Sequence, residues 1–164
     1  MEQERPHVRM DSPVGPLVIS GTGEFIQSVS FTDEPRADLL LPESVNPPAL
    51  LKECVKQLQE YFDGTRKVFD IPISQPGTDF QQTVWKQLTT IPYGQTISYL
   101  QLAHRIRNPK SIRAVGTTNG KNRLAIIVPC HRVIGSDGSL TGYAGGLWRK
   151  KWLLDHETTD LFKQ

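Results

Sequence analysis

The stretch ISQPGT at residues 73 to 78 constrains the fold of this chain most, because proline and glycine punctuate it where the charge of the sequence changes sign. Residues 1 to 79 hold 7 Lys and Arg against 13 Asp and Glu, a net of −6; residues 80 to 164 hold 12 against 4, a net of +8. The break predicts two small domains: a structural α/β domain over 1–75 and a basic domain over 76–164. A chain of 164 residues is long enough to bury an adequate core. A basic half beside an acidic one points to an anionic partner, and nucleic acid is the commonest large polyanion in a cytoplasm. Two solvated faces that merely differ in sign are the plainer alternative.

With 37% hydrophobic and 22% charged residues the sequence is that of an ordinary globular protein, which excludes fibrous and disordered classes. No apolar run approaches the roughly 20 residues of a membrane helix. The opening MEQERPHVRM mixes acids with bases and reads as neither a signal nor a transit peptide, so a cytoplasmic protein is expected. In that compartment Cys54 and Cys130 are read as free thiols. Two cysteines are too few for a cysteine-based zinc site, and no His and carboxylate cluster suggests another metal.

In the first half, PLVISG and FIQSVSF alternate as two strands of an antiparallel hairpin. VNPPALLKECVKQLQEYFDG predicts a helix capped by Asn46 with Pro47 in its first turn; its apolar stripe includes Leu51, Cys54, Val55, Leu58, Tyr61 and Phe62, and Gly64 closes it. Cys54 therefore reads as core. In the second half, Thr78 with Gln81 and Ser98 with Gln101 have the spacing of capping boxes, which start helices at TDFQQTVWKQL and SYLQLAHRI. A short turn after Arg107 leads to Asn108 as cap and Pro109 as first helical residue of PKSIRAVGTTNG, ending at Gly120. The pair forms a helix-turn-helix candidate. Ile112 and Val115 are expected to face the core, Lys110 and Arg113 the solvent, and Ala114, Gly116 and Thr117 keep the second helix slender. Together these elements predict an α+β chain: a small sheet with a helix, then a mostly helical domain.

RLAIIV, residues 123 to 128, reads as a buried strand that Pro129 ends, which places Cys130 at the strand's end. His131 follows, and neighbours on an extended chain point to opposite faces, so a bridging water is the expected link between them. The glycines of GSDGSLTGYAGG, residues 135 to 146, suit a loop that closes over a ligand or an ordinary connection. A last helix, LWRKKWLLDHE, is expected to carry Trp148 and Trp152 in the core and to end at Glu157. On these residues alone Cys130 is either a nucleophile beside its base or a buried thiol.

The runs PCHRV at 129–133, GYAGG at 142–146, IPYGQTISY at 91–99, RAVG at 113–116 and WLLDHE at 152–157 closely resemble the O6-alkylguanine-DNA alkyltransferases. The resemblance is unbroken from about residue 78 to 157, and SPVGPL and EYFDGTRKVFDIP are similar to the family's N-terminal domain. It implies a ribonuclease H-like first domain and a winged-helix-like second. It also implies a partner, double-stranded DNA containing O6-alkylguanine, and no cofactor. A monomer is expected, with cooperation along DNA and repair of O4-alkylthymine left open. Residue by residue, it implies that Cys130 accepts the alkyl group, that His131 deprotonates it through water, that Glu157 orients the imidazole, and that Asn122 is a hinge before the active-site strand. It further implies that Arg113 fills the space of an extruded base, that Tyr99 turns the 3′ phosphate, that Asn108 and Ser136 touch DNA, and that Tyr143 lies over the flipped base. Ala144 departs from relatives that carry serine there; its backbone donor to O6 survives, but the alkyl preference is open.

The chemistry fits these residue types. Removal of an alkyl group from O6 needs a soft anionic nucleophile, and a cysteine with a free pKa of about 8.5 needs a base near neutral pH. A relay of Glu157, His131, water and Cys130 supplies one. A thiol hydrolase would use the same triad but leave the helix-turn-helix and Arg113 idle. A DNA-binding module without chemistry would leave the cysteine idle.

Overall fold

The computed structural model describes residues 5–32 and 43–162; the first residues of the polar opening, Met1 to Glu4, lie outside that range. The chain divides into two compact units, Met1–Gln75 and Pro76–Gln164. The division falls inside the 73–78 stretch. Residues Ile73 and Ser74 still belong to the first unit: Ile73 bridges Ile26, and the Ser74 N–H donates to the Ile26 carbonyl at 2.9 Å.

The first unit is a three-stranded antiparallel sheet in the order β1 (His7–Met10), β2 (Leu17–Gly21), β3 (Ile26–Phe31), with helix α1 (Ala49–Asp63) packed against it. In β2 every second residue is buried, as a half-buried strand requires, and Leu17 and Ile19 are fully buried together with Leu51, Cys54, Leu58 and Tyr61 of the helix. Cys54 is core, and burial pushes its thiol up to about 12, which makes it inert. The helix starts later than the sequence suggests. Asn46 has φ of 58° and Pro48, without a side-chain cap, precedes the first helical residue; Pro47 is itself followed by a proline, which disfavours the helical region for it, so it does not open the helix. Gly64 ends α1 in the left-handed conformation at φ 82°.

The second unit comprises α2 (Asp79–Leu88), β4 (Ile97–Ser98), α3 (Tyr99–Arg105), a 3₁₀ turn at Pro109–Ser111, α4 (Ile112–Gly120), a 3₁₀ turn at Cys130–Arg132, β5 (Val133–Ile134) and α5 (Leu147–Phe162). Both capping boxes form, on Thr78 with Gln81 and on Ser98 with Gln101; each cap contributes about 1 kcal/mol. The turn between α3 and α4 closes with the Asn108 N–H on the Ala103 carbonyl at 2.9 Å and Arg107 at φ 60°. The Trp85 indole N–H donates to the Thr118 carbonyl at 3.0 Å and ties α2 to α4.

Five expectations are corrected in this unit. Pro109 opens a 3₁₀ turn rather than the α-helix, and its different pitch turns Ile112 to solvent, 41% exposed, while Val115 stays buried. Trp148 is 55% exposed instead of core, and α5 continues past Glu157 to Phe162. The run at 123–128 is not a strand, for a reason that belongs to the site.

Candidate active site

Residues 124 to 130 form consecutive tight turns. The Val128 N–H donates to the Leu124 carbonyl at 2.9 Å, the Ile127 N–H to Ala125 at 2.8 Å, and the Cys130 N–H to Val128 at 2.8 Å. Buried Ile126 sits at φ 73°, an outlier for a β-branched residue, which costs on the order of 1–3 kcal/mol. The side chain of Asn122 stabilises this path. Its Nδ2 donates to the carbonyls of Leu124 (3.3 Å) and Val128 (2.9 Å), and its Oδ1 accepts the Leu124 N–H at 3.1 Å. A strand would leave that amide without these partners, so a side-chain bond overrides the β propensity of RLAIIV. Asn122 therefore clamps a turn, and no strand follows it over 123–128.

The same Nδ2 lies 3.3 Å from Cys130 Sγ, and Asn119 Nδ2 donates to the Cys130 carbonyl at 3.2 Å. Cys130 is thus fixed by two amides at the start of a 3₁₀ turn rather than at a strand end. Immediately after that turn, β5 pairs in parallel with β4, Val133 opposite Ile97 and Ile134 opposite Ser98. This clip brings the start of α3, and with it Tyr99, to the cysteine. Tyr99, Tyr143 and Lys150 lie close enough to Cys130 for a thiolate formed there to act on each of them.

His131 is fully buried, and its Nε2 lies 2.6 Å from Glu157 Oε2. An ionised carboxylate can only accept, so Nε2 carries the proton and Nδ1 the lone pair. Among the described residues Nδ1 has no hydrogen-bond partner, so the imidazole makes no direct hydrogen bond to the thiol. Glu157 is held from three directions. Arg132 Nε donates to Oε1 at 2.8 Å and Nη2 to Oε2 at 3.2 Å, the Gly94 N–H donates to Oε1 at 3.2 Å, and Arg132 Nη1 is anchored on the Ile91 carbonyl at 2.7 Å.

The electrostatics follow from these contacts. Burial raises the Glu157 carboxyl, but the His131 hydrogen bond and the Arg132 guanidinium outweigh it and hold the group well below the carboxylate range. Burial pushes the His131 imidazole below its ordinary value against the pull of Glu157, so it is a neutral base near pH 7. Burial raises the Cys130 thiol, with the Asn122 bond and the Lys150 charge opposing. The site therefore holds a protonated thiol and a neutral base kept in one tautomer, which is chemistry that generates a thiolate on demand.

Of the residues singled out in the sequence, the structure gathers Cys130, His131, Glu157, Asn122, Tyr99 and Tyr143. Arg113 on α4, Asn108 in the turn before it, Ser136 after β5 and Ala144 in the glycine loop are exposed. Buried residues with no assigned part include Arg132, Asn119 and Lys150. Arg132 stood inside PCHRV, a charge directly before the apolar pair Val133 and Ile134; Lys150, in a run of three basic residues, gave no signal.

Two family models match the chain: the DNA-binding domain of 6-O-methylguanine DNA methyltransferase over residues 79–159 and its ribonuclease-like domain over residues 8–75. A methylated-DNA–protein-cysteine methyltransferase of Mycobacterium tuberculosis is 48% identical over 151 residues, 90% of this chain and 89% of the relative. One of Methanosarcina barkeri is 41% identical over 152 residues, 93% of this chain and 96% of the relative. Among solved structures, the O6-methylguanine methyltransferase of M. tuberculosis superposes with a TM-score of 0.84 at 45% identity, covering 96% of this chain and 94% of the other. M. tuberculosis OGT in complex with DNA gives a TM-score of 0.84 at 45% identity over 94% and 93% of the two chains. With both domain models matched in order along the sequence, the chain belongs to the 6-O-methylguanine DNA methyltransferase family.

Proposed function

We propose that the protein repairs DNA by moving the alkyl group of O6-alkylguanine onto Cys130, without cofactor and once per molecule. The observation that carries this reading is a buried thiol, held by Asn122, in one site with an imidazole anchored on an ionised carboxylate. The Cys130 proton passes through a water to His131 Nδ1. Sγ then attacks the alkyl carbon in line, the S–C bond forms as the C–O6 bond breaks, and guanine leaves with the electron pair and takes up a proton as it returns to its keto form. Glu157 keeps the imidazole in the right tautomer and stabilises the imidazolium. Tyr99 donates to guanine N3 as charge develops there. Tyr143 and the backbone of Ala144 form part of the pocket for the flipped base. The S-alkylcysteine has no carbonyl for water to attack, so the sulfur is not regenerated.

DNA is held on the exposed face of α4, with Asn108 and Ser136 touching DNA, the Tyr99 ring turning the 3′ phosphate and Arg113 in the space of the extruded base. Residues 1–75 act as a structural domain and 76–164 as the DNA-binding and acceptor domain. No helix among the described residues is long and apolar enough to cross a membrane. A cytoplasmic site of action suits a free thiol nucleophile, because reducing conditions there preserve it.

Incubating the protein with duplex DNA that carries tritium-labelled O6-methylguanine tests the reading; label should move to the protein, and label that stays on DNA contradicts it. Arg113→Ala separates flipping from chemistry. Transfer from duplex should fall about tenfold or more, because flipping costs a few kcal/mol that the arginine offsets, while reaction with free O6-methylguanine stays within about twofold. Equal losses on the two substrates would place Arg113 in folding or chemistry.

A further inference from the structure

Lys150 lies on α5 with 0% of its surface exposed, although its neighbours in WRKKW include exposed Lys151. A buried ammonium needs strong partners. Here Nζ donates to the Thr141 carbonyl at 2.8 Å and to the Tyr99 hydroxyl at 3.4 Å. The Tyr99 hydroxyl donates to the same Thr141 carbonyl at 3.0 Å. Three elements therefore meet on one carbonyl oxygen: α3 through Tyr99, the glycine-rich loop through Thr141, and α5 through Lys150. Gly142 follows Thr141 at φ 60°, and a Cβ there would stand 3.7 Å from the Tyr99 hydroxyl, so the loop passes close over the phenol.

A phenol has one proton to give, and here Thr141 takes it. Resting on the reading above, in which Tyr99 donates to the flipped base, Tyr99 must leave Thr141 when substrate enters. Lys150 has three donors and is already on the same carbonyl. We propose that Lys150 is the positioning residue that frees Tyr99: it retains the Thr141 carbonyl, and so the loop, while the phenol turns its proton to the substrate, and it keeps a donor on the phenolic oxygen. Without that ammonium the carbonyl competes with the base for the only phenolic proton, and Tyr99 remains on the loop. The titratable groups around Nζ are few. Cys130 and His131 face it from the 3₁₀ turn and Tyr99 from α3, and burial lowers its pKa to about 8, which a thiolate at Cys130 would oppose. The ammonium is thus present at neutral pH, where the donors are needed.

The test is a double-mutant cycle on single-turnover methyl transfer from duplex DNA, with Tyr99→Phe and Lys150→Met singly and together. With Lys150 in place, Tyr99→Phe should cost about tenfold, the worth of one hydrogen bond in a desolvated site; on top of Lys150→Met it should cost less than about twofold, because the phenol is already withheld. Lys150→Arg, which keeps a donor, should restore the dependence on Tyr99. Lys150→Gln, too short to reach Thr141, should behave like the Met substitution and provides a second variant should the first not fold. Additive losses in the cycle, or loss of the Tyr99 dependence in the Arg variant as well, overturn the proposal. Absence of transfer by the unsubstituted protein, or no effect of Tyr99→Phe in it, instead refutes the functional reading on which the proposal rests.

Discussion

Cys130→Ser is expected to abolish methyl transfer, while Cys54→Ser leaves it within about twofold of the unsubstituted protein. The asymmetry comes from surroundings rather than from the thiols themselves, since both are buried. Cys54 lies on the core face of α1, where burial and the charge of Glu53 raise its pKa to about 12. Cys130 has an amide donor from Asn122 at 3.3 Å, the positive charge of Lys150, and a neutral imidazole as the next residue. A serine hydroxyl in place of Cys130 fits the same space but titrates far above the range that His131 can deprotonate, and oxygen is a poorer nucleophile toward an alkyl carbon. Single-turnover assays on the two variants, with melting curves to show that both fold, check this. Equal loss in two folded variants would remove Cys130 from the acceptor role.

The second large effect is expected at Glu157. Glu157→Gln keeps the shape but removes the charge that fixes the His131 tautomer and pairs with Arg132. The transfer rate should fall by about 10²–10⁴-fold, the usual worth of a positioned general base. Stability should fall as well, by about 3–5 kcal/mol, because a buried guanidinium loses its partner. Its pH dependence has a definite sign. The Glu157 carboxyl is depressed in the folded chain, so its contribution is complete above the unfolded value of about 4.3 and is lost as pH falls toward the folded value. His131, buried and neutral, adds loss in the same direction below about pH 6.5, since the unfolded chain gains the proton first. Thermal unfolding between about pH 7 and pH 3 should show a steeper decline for the unsubstituted protein than for Glu157→Gln. Parallel curves would contradict an ionised Glu157.

What could be read from the sequence was what local chemistry decides. Thr78 with Gln81 and Ser98 with Gln101 satisfy backbone donors within three residues, so both helix starts were visible. The antiparallel β2–β3 hairpin was visible through alternation, whereas β1 is only four residues long and becomes a strand by pairing with β2. RLAIIV has the composition of a strand, but the amide of Asn122 and burial of the turn decide its path, and neither is visible in a run of β-branched residues. Ile112 misled because one 3₁₀ turn shifts the phase of the helix behind it. Cys130, His131 and Glu157 were legible through resemblance. Lys150 was not, because a loop carbonyl nine residues earlier and a phenol 51 residues earlier make its burial tolerable.

The mechanism stands on a single, irreversible transfer to one sulfur, and weighing the protein after reaction probes that step without an intermediary. The protein is mixed with an excess of duplex containing O6-methylguanine, product guanine is followed to completion, and the chain is weighed intact and then as peptides. The expected result is one added methyl per chain, located on the peptide that contains Cys130, with guanine formed in an amount equal to active protein. Guanine formation that continues beyond one equivalent, or a methyl found on any other residue, would contradict it.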